Sequence, residues 1–133
     1  MIVSAEWKQG LLFEGRSESG QIVRFDASPS HAAGLSPMEA VLAGLCGCTS
    51  VDVVSILQKK REPLEGLTVT ASAEQAAEPP RVFTRIHLTY RISGRVTPKA
   101  AEDAVALSKN KYCSVSKMLE KSATITFSIE YAS

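Results

Sequence analysis

Cys48 and Cys113 stand 65 residues apart in contrasting surroundings: the first inside the apolar run of residues 40–57, the second at the head of Cys113-Ser114-Val115-Ser116-Lys117. A thiol does redox chemistry as a thiolate, which an apolar interior disfavours and a helix N-terminus or a nearby Arg favours. A buried Cys48 and a capped Cys113 fit an attacking sulfur and a resolving sulfur. The plainer alternative is that Cys48 is a small core hydrophobe and Cys113 an ordinary helix cap, since buried free cysteine is common and usually inert. Cys46 fits the core reading best. On a helix, positions 46 and 48 point about 200° apart, so the pair is not a metal clamp. His31, in a loop, and His87, on the polar face of a strand, are the only imidazoles and are expected to be solvated. No metal site follows from these residues.

Two charged residues have a chemical reading beside a structural one. Arg24, in Val23-Arg24-Phe25-Asp26, is a cation on a mostly apolar strand; such residues usually face solvent at a sheet edge. Glu39 is explained by a capping box, yet a carboxylate there could also hold a guanidinium in bidentate fashion.

The elements that must position these groups are legible from pattern. Residues 2–8, 11–16 and 21–26 have strand character and are separated by Gln9-Gly10 and Ser17-Glu18-Ser19-Gly20, which predicts a meander. Residues 27–35 form a loop. At Ser36-Pro37-Met38-Glu39 an N-cap, a first-turn proline and an S-x-x-E box coincide, predicting a helix to about Lys60. Its first half is apolar around the whole circumference, so it should be covered on several sides. Gly44 and Gly47 inside it each cost roughly 1 kcal/mol relative to Ala, which implies a compensating close contact. Alternation predicts strands over 67–73, 82–93 and 123–131, in antiparallel sheet with one covered face. Thr97-Pro98 should open a second helix to about Lys109, and Cys113 a short third helix through Leu119. The order is βββ-α-ββ-αα-β, an α+β class, with residues 1–133 taken as a single domain.

Composition excludes some partners. With 22% charged residues, a net charge of +1 and no long Lys/Arg run, nothing points to nucleic acid or an anionic membrane. The apolar run is interrupted by Thr49, Ser50, Asp52 and Ser55, which argues against a membrane span, and the N-terminus does not read as a signal peptide. A cytoplasmic setting with reduced thiols is the expectation.

The block Ser36-Pro37-Met38-Glu39-Ala40-Val41-Leu42-Ala43-Gly44-Leu45-Cys46-Gly47-Cys48-Thr49-Ser50, followed by Tyr112-Cys113-Ser114-Val115-Ser116-Lys117, resembles the OsmC/Ohr family of thiol-dependent hydroperoxide reductases, in a shorter branch. The resemblance implies an intertwined homodimer in which antiparallel sheets wrap a long buried central helix, with the active site at the interface. It also implies roles. Cys48 matches the cysteine that attacks the peroxide and Cys113 the one that resolves the sulfenic acid as a disulfide. Glu39, nine residues before Cys48, matches the glutamate that orients an arginine, for which Arg24 is the candidate. Cys46 lies outside that pattern. The implied partners are a small hydroperoxide and an external dithiol reductant, with no cofactor, in a stress-response role. The alternative is a small-molecule binding or redox-sensing module on the same fold, without peroxidase turnover.

Overall fold

A computed structural model describes residues 1–132. The chain divides into two compact units, Met1–Ala43 and Gly44–Ser133. In the first, strands β1 (Val3–Gln9), β2 (Leu12–Ser17) and β3 (Ile22–Asp26) form the expected antiparallel meander in sequential order. Gly10 and Gly20 take positive φ, 53° and 88°, in its two turns, where other residues would be strained. Every residue of β1 is exposed. The loop after β3 is built on Asp26, whose two carboxylate oxygens accept from Ser28 N–H at 2.9 Å and Ala33 N–H at 3.0 Å. The Ser28 hydroxyl first, and then these two N–H groups, hold the Asp26 carboxyl below its usual range. Further along, Leu35 pairs with Phe25, and Gly34 passes so close to the Arg24 carbonyl that a Cβ there would lie 2.5 Å from its oxygen.

Helix α1 (Pro37–Lys59) begins where the capping box places it. Glu39 N–H donates to Ser36 Oγ at 3.1 Å, and Ser36 N–H donates to the Glu39 carboxylate at 2.8 Å. Its buried residues, Leu45, Thr49, Val53 and Leu57, recur every four positions and form one stripe. The expectation of cover on several sides is therefore not met within one chain: Val41 and Val51 are exposed, and a Cβ on Gly44 or Gly47 would meet nothing within 4 Å.

In the second unit, β4 (Leu64–Gln75), β5 (Phe83–Gly94) and β6 (Thr124–Ala132) form a sheet with β5 in the middle. Alternate residues of β5, Ile86, Leu88, Tyr90 and Ile92, are fully or almost fully buried, as a period-two strand with one covered face requires. The expectation of purely antiparallel sheet is corrected here: β5 and β6 run parallel, from Arg85↔Thr124 to Ser93↔Ala132. The chain leaves β5, crosses through α2 (Pro98–Leu107), a π-helical turn (Ser108–Tyr112) and α3 (Ser114–Leu119), and re-enters the sheet in the direction it left. Thr97 precedes α2 as expected, but its hydroxyl donates to Glu62 at 2.6 Å rather than capping the helix. By length and composition α1 could cross a membrane, with a mean hydropathy of 1.9 over 18 residues. Its buried stripe includes Thr49, which is bonded to the sheet and to the π turn, so this stripe is packed against elements of the second unit.

Candidate active site: a pair of thiols

Cys113 is the N-cap of α3. Its backbone is extended (φ −76°, ψ 103°), and its Sγ accepts from Ser116 N–H at 3.4 Å. Its own N–H donates to the Ser108 carbonyl at 2.8 Å, five residues back, which is the bond that closes the π turn. Ser116 completes the cap by donating its hydroxyl to the Cys113 carbonyl at 3.1 Å. The side chain is fully buried. Burial pushes the Cys113 thiol above its ordinary range, the Ser116 N–H opposes this, and the neighbouring Cys48 thiol raises it further. The expected N-terminal stabilisation is thus present but outweighed by loss of solvent.

Cys48 lies on α1 and is half-buried, not enclosed. The sequence expectation that Cys48 is buried in the interior is corrected to a half-buried position, whereas Cys113 caps its helix as expected and is enclosed as well. The two thiols are neighbours, close enough for Cys48 to act on the protonation of Cys113, and all three cysteines are free. Cys46 is the third thiol, half-buried on the same helix as Cys48. Burial raises its pKa, and its backbone-bonded partner is Ala71 of β4.

Beside the thiols runs a chain of hydroxyls that no sequence motif announces. Tyr90 Oη and Thr49 Oγ1 are 2.7 Å apart, Thr49 Oγ1 and Ser108 Oγ 2.8 Å, and Ser108 Oγ donates to Asp52 Oδ2 at 2.8 Å. An ionised carboxylate only accepts, so the single proton of Ser108 is committed to Asp52. Ser108 must then accept from Thr49, and Thr49 from Tyr90. All three protons point towards Asp52. The only clue in the sequence was that Thr49 and Asp52 interrupt an apolar helix.

Arg24 and Glu39 belong to the other compact unit. Arg24 is exposed on β3, opposite Glu14, whose carboxylate pairs with Arg16 at 2.9 Å instead. Glu39 is exposed and engaged with Ser36, which lowers its pKa. Among the described residues no ion pair joins Arg24 to Glu39. His31 Nδ1 lies 2.7 Å from the Asp26 carbonyl, and His87 is bracketed by Thr126 and Ser128 at 2.7 and 3.0 Å. Among the described residues no group of His, Cys, Asp and Glu has the arrangement of a metal site.

Comparison with known proteins bears on this arrangement. A family model described as OsmC-like protein matches residues 30–128. Protein YhfA of Escherichia coli K12 is 44% identical over 131 residues, covering 98% of this chain and 97% of its own. Among solved structures, a hypothetical protein from Aquifex aeolicus aligns with TM-score 0.85 at 29% identity over 99% of this chain and 97% of that one. An organic hydroperoxide resistance protein OsmC from Legionella pneumophila aligns with TM-score 0.73 at 20% identity, over 97% and 95% of the two chains, a likeness of fold.

Proposed function

We propose, from the premise that the chain belongs to the OsmC-like family, that it is a thiol-dependent reductase of organic hydroperoxides in which Cys48 attacks and Cys113 resolves. The observation that carries this reading is the unequal pair itself: a half-exposed Cys48 beside a fully buried Cys113. The accessible sulfur meets substrate and the enclosed one waits for the product of that encounter. The hydroperoxide role named for the Legionella structure supports the same chemistry.

In the first step the Cys48 sulfur takes the terminal oxygen of the hydroperoxide, giving Cys48 sulfenic acid and releasing the alcohol. In the second the Cys113 sulfur displaces that oxygen, forming the disulfide. The thiol proton leaves with the hydroxyl as water. An external dithiol then reduces the disulfide by exchange and is itself oxidised. Arg24 would supply a cation for the peroxide and the Cys48 thiolate, and Glu39 would orient it. A second copy of the chain is the natural source of cover for the exposed faces of α1 and of the β1–β3 sheet, where Val41, Val51, Trp7, Ile22 and Val23 lie open. A cytoplasmic homodimer, 1–133 acting as one domain, follows from this reading.

Stoichiometric organic hydroperoxide should convert the reduced protein to one with an intramolecular Cys48–Cys113 disulfide, read by mass spectrometry of non-reduced peptides. Two thiols still open to alkylation after that treatment would sink the peroxidase reading. A specific feature favours a second one: a cleft of about 400 Å³ lined by Asp52, Ser55, Ile56, Lys59, Leu107 and Tyr112 could hold a small molecule without turnover. Cys48→Ser would leave binding there intact.

A further inference from the structure

The hydroxyl chain links the two thiols through a single residue, Ser108. Through its side chain Ser108 is tied to α1, to Thr49, which follows Cys48 directly, and to Asp52, one turn further on. Through its carbonyl it holds the N–H of Cys113. That second bond is of the five-residue π type. Relaxation of the turn to α-helical winding would pass the Cys113 N–H to the Lys109 carbonyl and rotate the cysteine away from its present direction. A wide turn at the end of α2 therefore needs an anchor, and the buried bonds from Ser108 to Thr49 and on to Tyr90 of β5 supply one.

We propose that Tyr90, Thr49, Ser108 and Asp52 form a positioning network for disulfide closure, holding Cys113 against Cys48 from three different elements. The proposal rests on the two-cysteine reading and deepens it by assigning the geometry of its second step. Asp52 fixes the direction of the chain: with its carboxylate at one end, each hydroxyl has one arrangement of donor and acceptor, and Ser108 has one place to sit. Among the described residues none of the four side chains is hydrogen-bonded to a cysteine sulfur. The network's effect is confined to the step in which Cys48 sulfenic acid and Cys113 thiol become a disulfide and water, a reaction that needs both sulfurs in line. The step requires no further oxidant or reductant.

Rapid-quench kinetics on the reduced full-length protein separates the two steps, with cumene hydroperoxide as oxidant, dimedone to trap sulfenic acid and mass spectrometry to follow the disulfide. Thr49→Val keeps the shape and deletes the hydroxyl; Thr49→Ser keeps the hydroxyl. Because misplacing reacting groups by an ångström costs up to about a hundredfold, Thr49→Val should slow disulfide formation by roughly ten- to a hundredfold and leave Cys48 oxidation within about twofold. Thr49→Ser should restore closure. Closure at the wild-type rate in Thr49→Val, or equal slowing in both variants, would overturn the proposal. Should Thr49→Val fail to fold, Asp52→Ala, which removes the acceptor at a half-buried position, must slow the same phase, and an unchanged rate there is equally fatal. If the wild-type protein forms no disulfide with the hydroperoxide, it is the peroxidase reading that falls. The network is then tested with diamide, which takes two hydrogens from the thiol pair and is reduced to its hydrazine. Thr49→Val must close more slowly than Thr49→Ser in that assay too, and equal rates would remove the network.

Discussion

The stretch of α1 around Cys48 and the stretch around Cys113 hold the same functional group in opposite ways. Cys48 sits in an unbroken helix, half-exposed, between Gly47 and Thr49. Cys113 ends an irregular π turn, caps a six-residue helix and is fully enclosed, with its N–H, carbonyl and sulfur all bonded. Regular structure leaves the first thiol accessible, and irregular structure fixes the second. The lesson is a division of labour: reactivity needs access, resolution needs a held position, and one chain supplies each from a different kind of backbone.

The largest break in that comparison removes the accessible thiol. Cys48→Ser should lower hydroperoxide turnover by at least about a thousandfold in a steady-state assay with a dithiol reductant, since a hydroxyl does not replace the nucleophile. Cys113→Ser should be milder. Its first turnover proceeds and Cys48 sulfenic acid accumulates, detectable as a dimedone adduct that the wild-type protein forms only fleetingly. A Cys113→Ser protein that cycles as fast as wild type would take the resolving role from Cys113.

The contrast was only partly legible in the sequence. The capping box at Ser36 and Glu39 and the alternation in β5 predicted their elements because local chemistry decides them. The parallel entry of β6 was missed because direction is set by the crossover and not by the strand's own pattern. Burial of Cys113 was missed for a related reason: a short segment rich in Ser and Lys reads as surface, and its enclosure comes from tertiary packing that its own pattern does not carry. Thr49 and Asp52 were noticed as interruptions of an apolar run, yet their partners Tyr90 and Ser108 lie 41 and 56 residues away. Arg24 and Glu39 remain candidates by resemblance, since the described residues pair neither with the other.

Enclosure has a pH signature that sharpens the difference between the thiols. Burial raises the pKa of Cys113 above the ordinary value of 9.0. For such a group the stability contribution is fully present below the unfolded-state pKa and is lost as pH rises through the higher folded-state value. Reduced wild-type protein should therefore lose stability in urea titrations as pH climbs past about 9, and Cys113→Ser should lose less. Cys46 and Tyr90, also raised by burial, contribute to both proteins, and because Cys113 itself helps raise Tyr90, the difference reports Cys113 together with its effect on Tyr90. Identical pH profiles would mean that Cys113 is not enclosed in solution.

The smallest expected effect concerns what covers the helix that carries Cys48. Within one chain a Cβ on Gly44 meets nothing, so Gly44→Ala should stabilise an isolated chain by about 1 kcal/mol through helix propensity alone. If a second copy packs its backbone against this face, as the proposed homodimer requires, the added methyl meets that backbone and the gain shrinks or reverses. Urea unfolding at several protein concentrations distinguishes the two. A stabilised variant whose midpoint ignores concentration leaves the helix face open, whereas a destabilised variant with a concentration-dependent midpoint identifies Gly44 as the close contact that its presence in a helix implied.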